Sequence, residues 1–495
     1  MNASLVLPGK RCILTAILLL ASHHPLRAQS PAAPPPPMPL RAAEIPPFQE
    51  ATLPNGVRVV LVESHRQPTV VFRLVLPAGA VHDPADKAGT SALVATLLTK
   101  GAGTRSAEQF AAAIENAGGS LQAVSDDDNL SIFGSVLSDA APLAFSLLGD
   151  AVSRPTFAPT ELTLAQTQTL SGLQLNSAAP AFLAAKTFRA GLYGAHPYGV
   201  TPTATTVRAI TLADVQRFHA AHVRPRGALL IVAGDVTMAQ LKAWTGAAFA
   251  GWTGGTAAQR LLPPPASPRK APQIILVHRP GSVQSNVLIG NLAVGPADSV
   301  RLAAELALQV LGGGSDGRLF KLLREQKGWT YGAYASMTRP RGIGRFEASA
   351  EVRTAVTDSA VREMLAQLSR IGSEPFPAKE LEDTRGGMLG SFPRALETPG
   401  GLAGMVAFVK LSGLPANYLQ TYRPRLSRVT AKEAAAAARR VVRPAEALIV
   451  VVGDAAALYD KLAAIAPVTL QSINGDTLQP ADLTSKRTGG APDTE

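Results

Sequence analysis

The 495-residue chain holds a single cysteine, Cys12, inside an apolar N-terminal run. Once that run is set aside, neither disulfides nor thiolate metal sites can form. Aromatic residues make up only 5% of the chain, and its 47 lysines and arginines are scattered rather than strung together. A nucleic-acid groove needs clustered cations interleaved with aromatic rings, so this distribution favours a solvated basic surface. The formal net charge is +11, and Lys10, Arg11 and Arg27 account for part of it, leaving about +8 without them. The run Cys12 to Ala21 is roughly ten residues, about half of what a bilayer-spanning helix needs. The glycines Gly312, Gly313 and Gly314 are followed by no Gly-Lys-Ser/Thr, so they do not make a phosphate loop.

What is present has a clear order. Lys10 and Arg11, the apolar run and Leu26-Arg27-Ala28 read as a cleaved secretory signal over residues 1–28, which predicts a periplasmic protein of a Gram-negative cell. A proline-rich linker over residues 29–47 follows, and a second breaker at residues 261–272 divides the remainder into similar halves. Residues 469–495 are polar and rich in Asp, Thr and Gly, which predicts a disordered tail.

The halves repeat each other. Thr211-Leu212-Ala213-Asp214 and Thr430-Ala431-Lys432-Glu433 each open a helical pattern with a capping box. The patterns reach Val223-Arg224-Pro225 and Val442-Arg443-Pro444, then the apolar runs Ala228–Asp235 and Ala447–Asp454. One offset relates all these pairs without a gap, so the chain is a duplicated domain. Each apolar run before Gly-Asp reads as a strand buried on both faces. Ser106-Ala107-Glu108-Gln109 caps a helix that stops at Gly118-Gly119, and Val57–Val62, Thr69–Leu76 and Leu130–Leu137 read as strands. Strands in runs beside helices predict an α+β fold: two homologous domains, 48–260 and 273–468, each an antiparallel sheet with helices on one face.

Three stretches carry a family resemblance. Leu53-Pro54-Asn55-Gly56-Val57 runs a turn into a strand. Phe188–Gly199 ends in His-Pro-Tyr-Gly. Gly312-Gly313-Gly314-Ser315-Asp316-Gly317-Arg318-Leu319-Phe320 runs on to Leu323-Arg324-Glu325-Gln326-Lys327-Gly328-Trp329-Thr330-Tyr331. Together they resemble the M16 (insulinase/pitrilysin) zinc metallopeptidases over roughly residues 48 to 468. The resemblance implies two facing domains around a chamber for unfolded peptides.

In that family an inverted His-x-x-Glu-His motif sits between an Ala-Gly and a Lys-Gly, and a later Glu completes the zinc site. Here the frame Ala88-Gly89 to Lys100-Gly101 is kept, but Ala92, Ala95 and Thr96 stand at the motif positions and Leu173 at the later one. Alanine offers no lone pair for a metal, and no acid lies between Leu162 and Pro202. The resemblance therefore implies a degenerate site with no metal bound by this chain. Of the eight histidines, His23 and His24 leave with the signal, and His65, His82 and His278 stand alone. His219 and His222 share a helix face without a carboxylate, and His196 is read as fixing its loop. Asp126-Asp127-Asp128 reads as a solvated turn.

The second domain keeps what the resemblance assigns to transition-state stabilisation, Arg324 and Tyr331, with Gly328 turning the chain between them. Guanidinium and phenol donate hydrogen bonds where negative charge develops on a substrate carbonyl. Gly312, Gly313, Gly314 and Ser315 border the peptide channel in the family. The competing reading makes Arg324 a surface charge and Tyr331 a core ring. The expected function is a non-catalytic, substrate-binding subunit of a heterodimeric periplasmic peptidase, with zinc carried by the partner. The alternative is an inert scaffold or peptide-binding protein.

Overall fold

Two six-stranded sheets carry the fold in the computed structural model, which describes residues 47–255 and 267–483. The signal segment, most of the proline-rich linker and the last twelve residues fall outside them. The first sheet contains β1 (Gln49–Thr52), β2 (Arg58–Glu63), β3 (Thr69–Leu76), β4 (Ser120–Ser125), β5 (Leu130–Leu137) and β6 (Leu229–Gly234), in the order β1-β2-β6-β3-β5-β4. The second contains β7 (Gln273–His278), β8 (Gln284–Leu292), β9 (Thr330–Met337), β10 (Arg345–Arg353), β11 (Leu448–Gly453) and β12 (Val468–Gln471), in the order β12-β7-β11-β8-β10-β9.

The helices that position the site are α1 (Thr90–Leu98), α2 (Ala107–Glu115), α3 (Pro159–Ser177), α4 (Pro180–Tyr193) and α5 (Leu212–His222) in the first repeat. In the second they are α6 (Arg301–Gly312), α7 (Pro399–Leu411) and α8 (Ala431–Val441). Both predicted capping boxes are made: Thr211 accepts from the Asp214 amide and Thr430 from the Glu433 amide, each acid reaching back to its cap. α5 and α8 therefore start at matching points and feed β6 and β11. The repeat holds down to register, since Leu229 faces Arg58 on β2 as Leu448 faces Gln273 on β7.

Each sheet is mixed rather than antiparallel as expected. β6 runs parallel to β2 and antiparallel to β3, and β11 does the same between β7 and β8. Each arrives from a helix and inserts between two strands already laid down, and an apolar run carries no information about direction.

Helices also cover both faces, where one was expected. Along β2 and β6, Val59, Leu61, Leu230 and Val232 join the core of their own domain. The alternate residues Val60, Val62, Leu229 and Ile231 pack on Leu402, Val406 and Val409 of α7, a helix of the other repeat. The exchange is mutual. Leu448, Val450 and Val452 of β11 pack on Leu183, Phe188 and Leu192 of α4. This is why the two runs are apolar at every position: one set of side chains serves its own domain and the other binds the domains together. Each fully buried Leu or Phe in these layers contributes about 1.5–3 kcal/mol relative to exposure.

The tail is a further correction. Val468–Gln471 form β12, paired in parallel with β7, and Leu470 is buried. β12 stands beside β7 where β1 stands beside β2, so apolar side chains at alternate positions were enough to recruit a polar-looking segment to a sheet edge.

Candidate functional site

α1 sits where the degenerate motif was read. Asp83 receives the Gly89 and Ser91 amides at 2.8 Å each, holding the start of the helix. Burial pushes this carboxyl up to about 6 despite those hydrogen bonds. On the helix Ala92 is exposed, Ala95 is fully buried in the core and Thr96 is half-buried. The Thr96 hydroxyl donates to the Ala92 carbonyl at 3.0 Å, satisfying itself within its own turn. α3, which carries the half-buried Leu173, packs against α1. A zinc ion does not fit this donor set, because two methyls, a committed hydroxyl and a leucine supply no ligands. Among the described residues no group of three His, Cys, Asp or Glu side chains comes together to hold a metal.

The histidines among the described residues make structural contacts. His219 Nε2 bonds the Val152 carbonyl at 3.0 Å, and its ring meets Phe157 edge-on. His222 packs against His82, their ring centres 4.4 Å apart. His65, expected to stand alone, has Asp235 on Nδ1 at 2.5 Å and Glu63 on Nε2 at 2.9 Å. Those carboxylates favour the imidazolium and raise its pKa. His82 and His278 are not isolated either; His278 Nδ1 accepts from the Ala455 amide. His196 fixes its loop as expected, Nδ1 accepting from the Tyr198 amide.

Asp126-Asp127-Asp128 makes a turn that is solvated at Asp126 and buried at Asp128. Asp126 accepts from the Asp128 and Asn129 amides, and Asp127 pairs with Arg189 at 2.7 Å. Asp128 is buried, accepting the Tyr198 hydroxyl at 2.6 Å and the Arg341 amide of the β9–β10 hairpin at 2.7 Å. The Tyr198 hydroxyl in turn accepts from the Gly342 amide. The His-Pro-Tyr-Gly segment is thus a latch between the repeats, and burial raises the pKa of both Asp128 and Tyr198. Sequence could not show that these acids meet residues more than 60 positions away.

The second repeat holds its polar groups very differently. α6 ends at Gly312, where an added Cβ would lie 2.5 Å from the Ala335 amide nitrogen, so only glycine lets the helix lie this close to β9. Gly313 and Ser315 are exposed beyond it, and Gly314 is half-buried. The chain then enters a short helix at Arg318–Phe320 that widens into a π-helical turn over Lys321–Gln326. Arg324 lies on that turn. Gly328, at φ +61°, reverses the chain into β9, as the sequence predicted.

A β-bulge follows. Ala350 of β10 faces Ala333 and Val352 faces Thr330, so Tyr331 and Gly332 together oppose one residue. Thr330 pins it, its hydroxyl donating to the Gly332 carbonyl at 2.8 Å and accepting the Gly332 amide at 3.1 Å. In a regular strand Tyr331 would share the face of buried Ala333 and Ala335. The bulge re-aims it. Tyr331 is 83% exposed on the free edge of the sheet and is not a core ring. Arg324 Nη1 donates to the Tyr331 carbonyl at 2.6 Å, and its guanidinium lies 5.0 Å over the Phe320 ring. The arginine is therefore anchored at one nitrogen to the backbone of an exposed tyrosine.

This arrangement can be compared with known proteins. Residues 58–198 match the family model described as Insulinase (Peptidase family M16), and residues 209–388 match the one described as Peptidase M16 inactive domain. The chain belongs to the M16 peptidase family. The first match spans α1 and Leu173, so the M16 frame persists where its metal-binding groups do not. Uncharacterized zinc proteases of Mycobacterium bovis and Mycobacterium tuberculosis are 29% identical over 300 residues, 58% of this chain and 66% of theirs, just under two thirds. One from Streptomyces coelicolor is 25% identical over 425 residues, 84% of this chain and 92% of its own. A solved M16 inactive-domain structure from Pseudomonas fluorescens superposes with a TM-score of 0.77 at 24% identity, covering 82% of this chain and 98% of that one. A protease from Helicobacter pylori gives 0.76 at 18%, covering 82% and 99%. These structures share the two-domain α+β fold. No helix among the described residues is long and apolar enough to cross a membrane.

Proposed function

We propose that this M16 chain is the non-catalytic subunit of a heterodimeric periplasmic peptidase, binding unfolded peptide and lending Arg324 and Tyr331 to a zinc site on its partner. The observation that carries this reading is the exposed Tyr331, turned out of the sheet by a pinned bulge beside an anchored arginine. An exposed aromatic ring held by such a device has no packing role. Phenol and guanidinium donors suit the oxyanion that forms when water attacks a peptide carbonyl. Among the described residues no three His, Cys, Asp or Glu side chains come together to hold a metal that could activate that water, so the reading puts zinc and base on another polypeptide. The free edge of β9 offers main-chain groups for an extended peptide, and the Gly312–Ser315 loop lies alongside it.

The test is reconstitution. The mature chain alone should hold no stoichiometric zinc and cleave no peptide; mixed with an M16 chain bearing His-x-x-Glu-His, it should form a complex that cleaves. A partner that cleaves equally well without this chain would refute the reading and favour an inert scaffold.

A further inference from the structure

Away from Arg324 and Tyr331, the second repeat carries a cleft of about 900 Å³. Its walls are residues 293–298 after β8, 341–343 in the β9–β10 hairpin, 410–413 at the end of α7, and Arg440 and Arg443 at the end of α8. Tyr331 lies at the start of β9 and the hairpin follows its end, so a strand of eight residues keeps the two sites about 25 Å apart.

Four cations, Arg341, Lys410, Arg440 and Arg443, line the cleft against a single lining carboxylate, Asp298. Carboxylates offset three of these cations, so the excess positive charge that could draw counter-charge into the cleft sits at Arg341. Helix ends explain part of the set. α7 and α8 finish here, and cations gather at the negative ends of helix dipoles. Arg443 pairs with Glu446 at 2.6 Å and donates to the Arg440 carbonyl, Arg440 pairs with Asp298 at 2.7 Å, and Lys410 pairs with Glu50 at 2.5 Å.

Arg341 is not explained that way. It lies in a hairpin, at no helix end. Its backbone amide donates to Asp128, whose carboxylate its charge also favours, while its guanidinium, on an exposed residue, makes no hydrogen bond or ion pair among the described residues. Between the cations the lining is apolar, at Val294, Pro296 and Ile343. A volume of this order suits a ligand much larger than one oxyanion, and a guanidinium fork matches a carboxylate in two parallel hydrogen bonds.

We propose that this cleft binds a carboxylate-rich peptide segment, with Arg341 as its main carboxylate anchor and the apolar lining taking the chain between acids. Only the choice of a peptide over a small oxyanion rests on the peptide-handling function proposed above. An acidic segment docked here would be held at a distance from the Arg324–Tyr331 edge, tethering a substrate without entering the reaction.

The test uses the full mature chain without any partner or cleavage assay, so it can fail or succeed independently of the heterodimer. Fluorescence anisotropy follows a labelled Ala-Glu-Glu-Ala-Glu-Glu peptide, its lysine counterpart, and inorganic tripolyphosphate as competitor. The acidic peptide should bind, the lysine peptide should not, and Arg341→Glu should weaken binding about tenfold or more. Lys432→Glu, the same charge change at the far end of α8, should leave it nearly unchanged. Melting of the R341E chain should fall, because the Arg341 charge also favours the buried Asp128 carboxylate. Arg341→Gln, which keeps the backbone bond to Asp128 and adds no negative charge, is the second variant and should weaken peptide binding with a smaller change in melting. Equal weakening by Arg341→Glu and Lys432→Glu would reduce the effect to general surface charge and overturn the site. Tripolyphosphate binding with no peptide binding would overturn the peptide assignment, and no binding of either would overturn the proposal.

Discussion

Equivalent segments of the two repeats reach the sheet edge by different routes. In the first, the regular helix α2 ends before Gly118, at φ +64°, and leads into β4, whose pairing with β5 is unbroken. In the second, a π-helical turn leads through Gly328, at φ +61°, into a bulged β9. Aligned on those glycines, Arg324 falls on Ile114 and Tyr331 on Leu121. Ile114 and Leu121 are only 4% and 9% exposed, whereas Tyr331 is 83% exposed. The first repeat uses these positions to fill its core. The second spends a wider helical turn and an extra strand residue to bring them out, and such irregularities concentrate at functional sites.

The converse holds at the helix before. α1 kept its frame and lost its chemistry, to the point that Ala95 is fully buried. The comparison breaks if that position is still an open site. Ala95→Glu should destabilise the chain by about 3 kcal/mol or more, since it buries an unpaired carboxyl. Urea unfolding checks this, and a change below about 1 kcal/mol would mean that α1 is still ready to accept catalytic groups.

A second prediction probes the start of the same helix. The Asp83 carboxyl has a folded pKa raised to about 6, above its unfolded value near 3.9. The folded state therefore binds the proton more tightly, and this group adds stability as pH falls from about 7 to about 4. Relative to Asp83→Asn, the parent should gain up to about 2–3 kcal/mol over that window. A stability difference that stays flat with pH would show that the helix-end amides fully compensate the burial.

The smallest effect concerns the bulge. Thr330→Val removes the hydroxyl that holds Gly332 and should cost about 1 kcal/mol in urea unfolding. In a reconstituted complex it should lower turnover while leaving assembly intact, because it disturbs where Tyr331 points. Unchanged turnover would mean that the bulge is held by the sheet alone.

Much of the architecture was legible because it rests on local signals. The capping boxes at Thr211 and Thr430, the shared offset and the apolar runs located both repeats, and the strands Thr69–Leu76 and Leu130–Leu137 fall where alternation put them. Gly328 was legible as a turn, whereas Arg324 and Tyr331 were named from their surroundings and the structure adds that the tyrosine is exposed and the arginine anchored. What the chain did not disclose depends on contacts made at a distance. Strand direction in β6 and β11, the exchange of α4 and α7 between sheets, and the recruitment of Val468–Gln471 are settled by partners remote in sequence. The burial of Asp128 and the two carboxylates on His65 have the same origin. The bulge is subtler: it rests on one threonine hydroxyl, and no pattern of apolar residues encodes it.

The most direct measurement is peptide cleavage by the reconstituted complex carrying Tyr331→Phe, which keeps the ring and deletes only the hydroxyl. If the exposed phenol donates to the oxyanion in a partner's zinc site, turnover should fall by about 10² to 10³ with assembly unchanged. Cleavage at the parent rate would contradict the account, leaving the Arg324–Tyr331 turn a structural feature and the chain a scaffold.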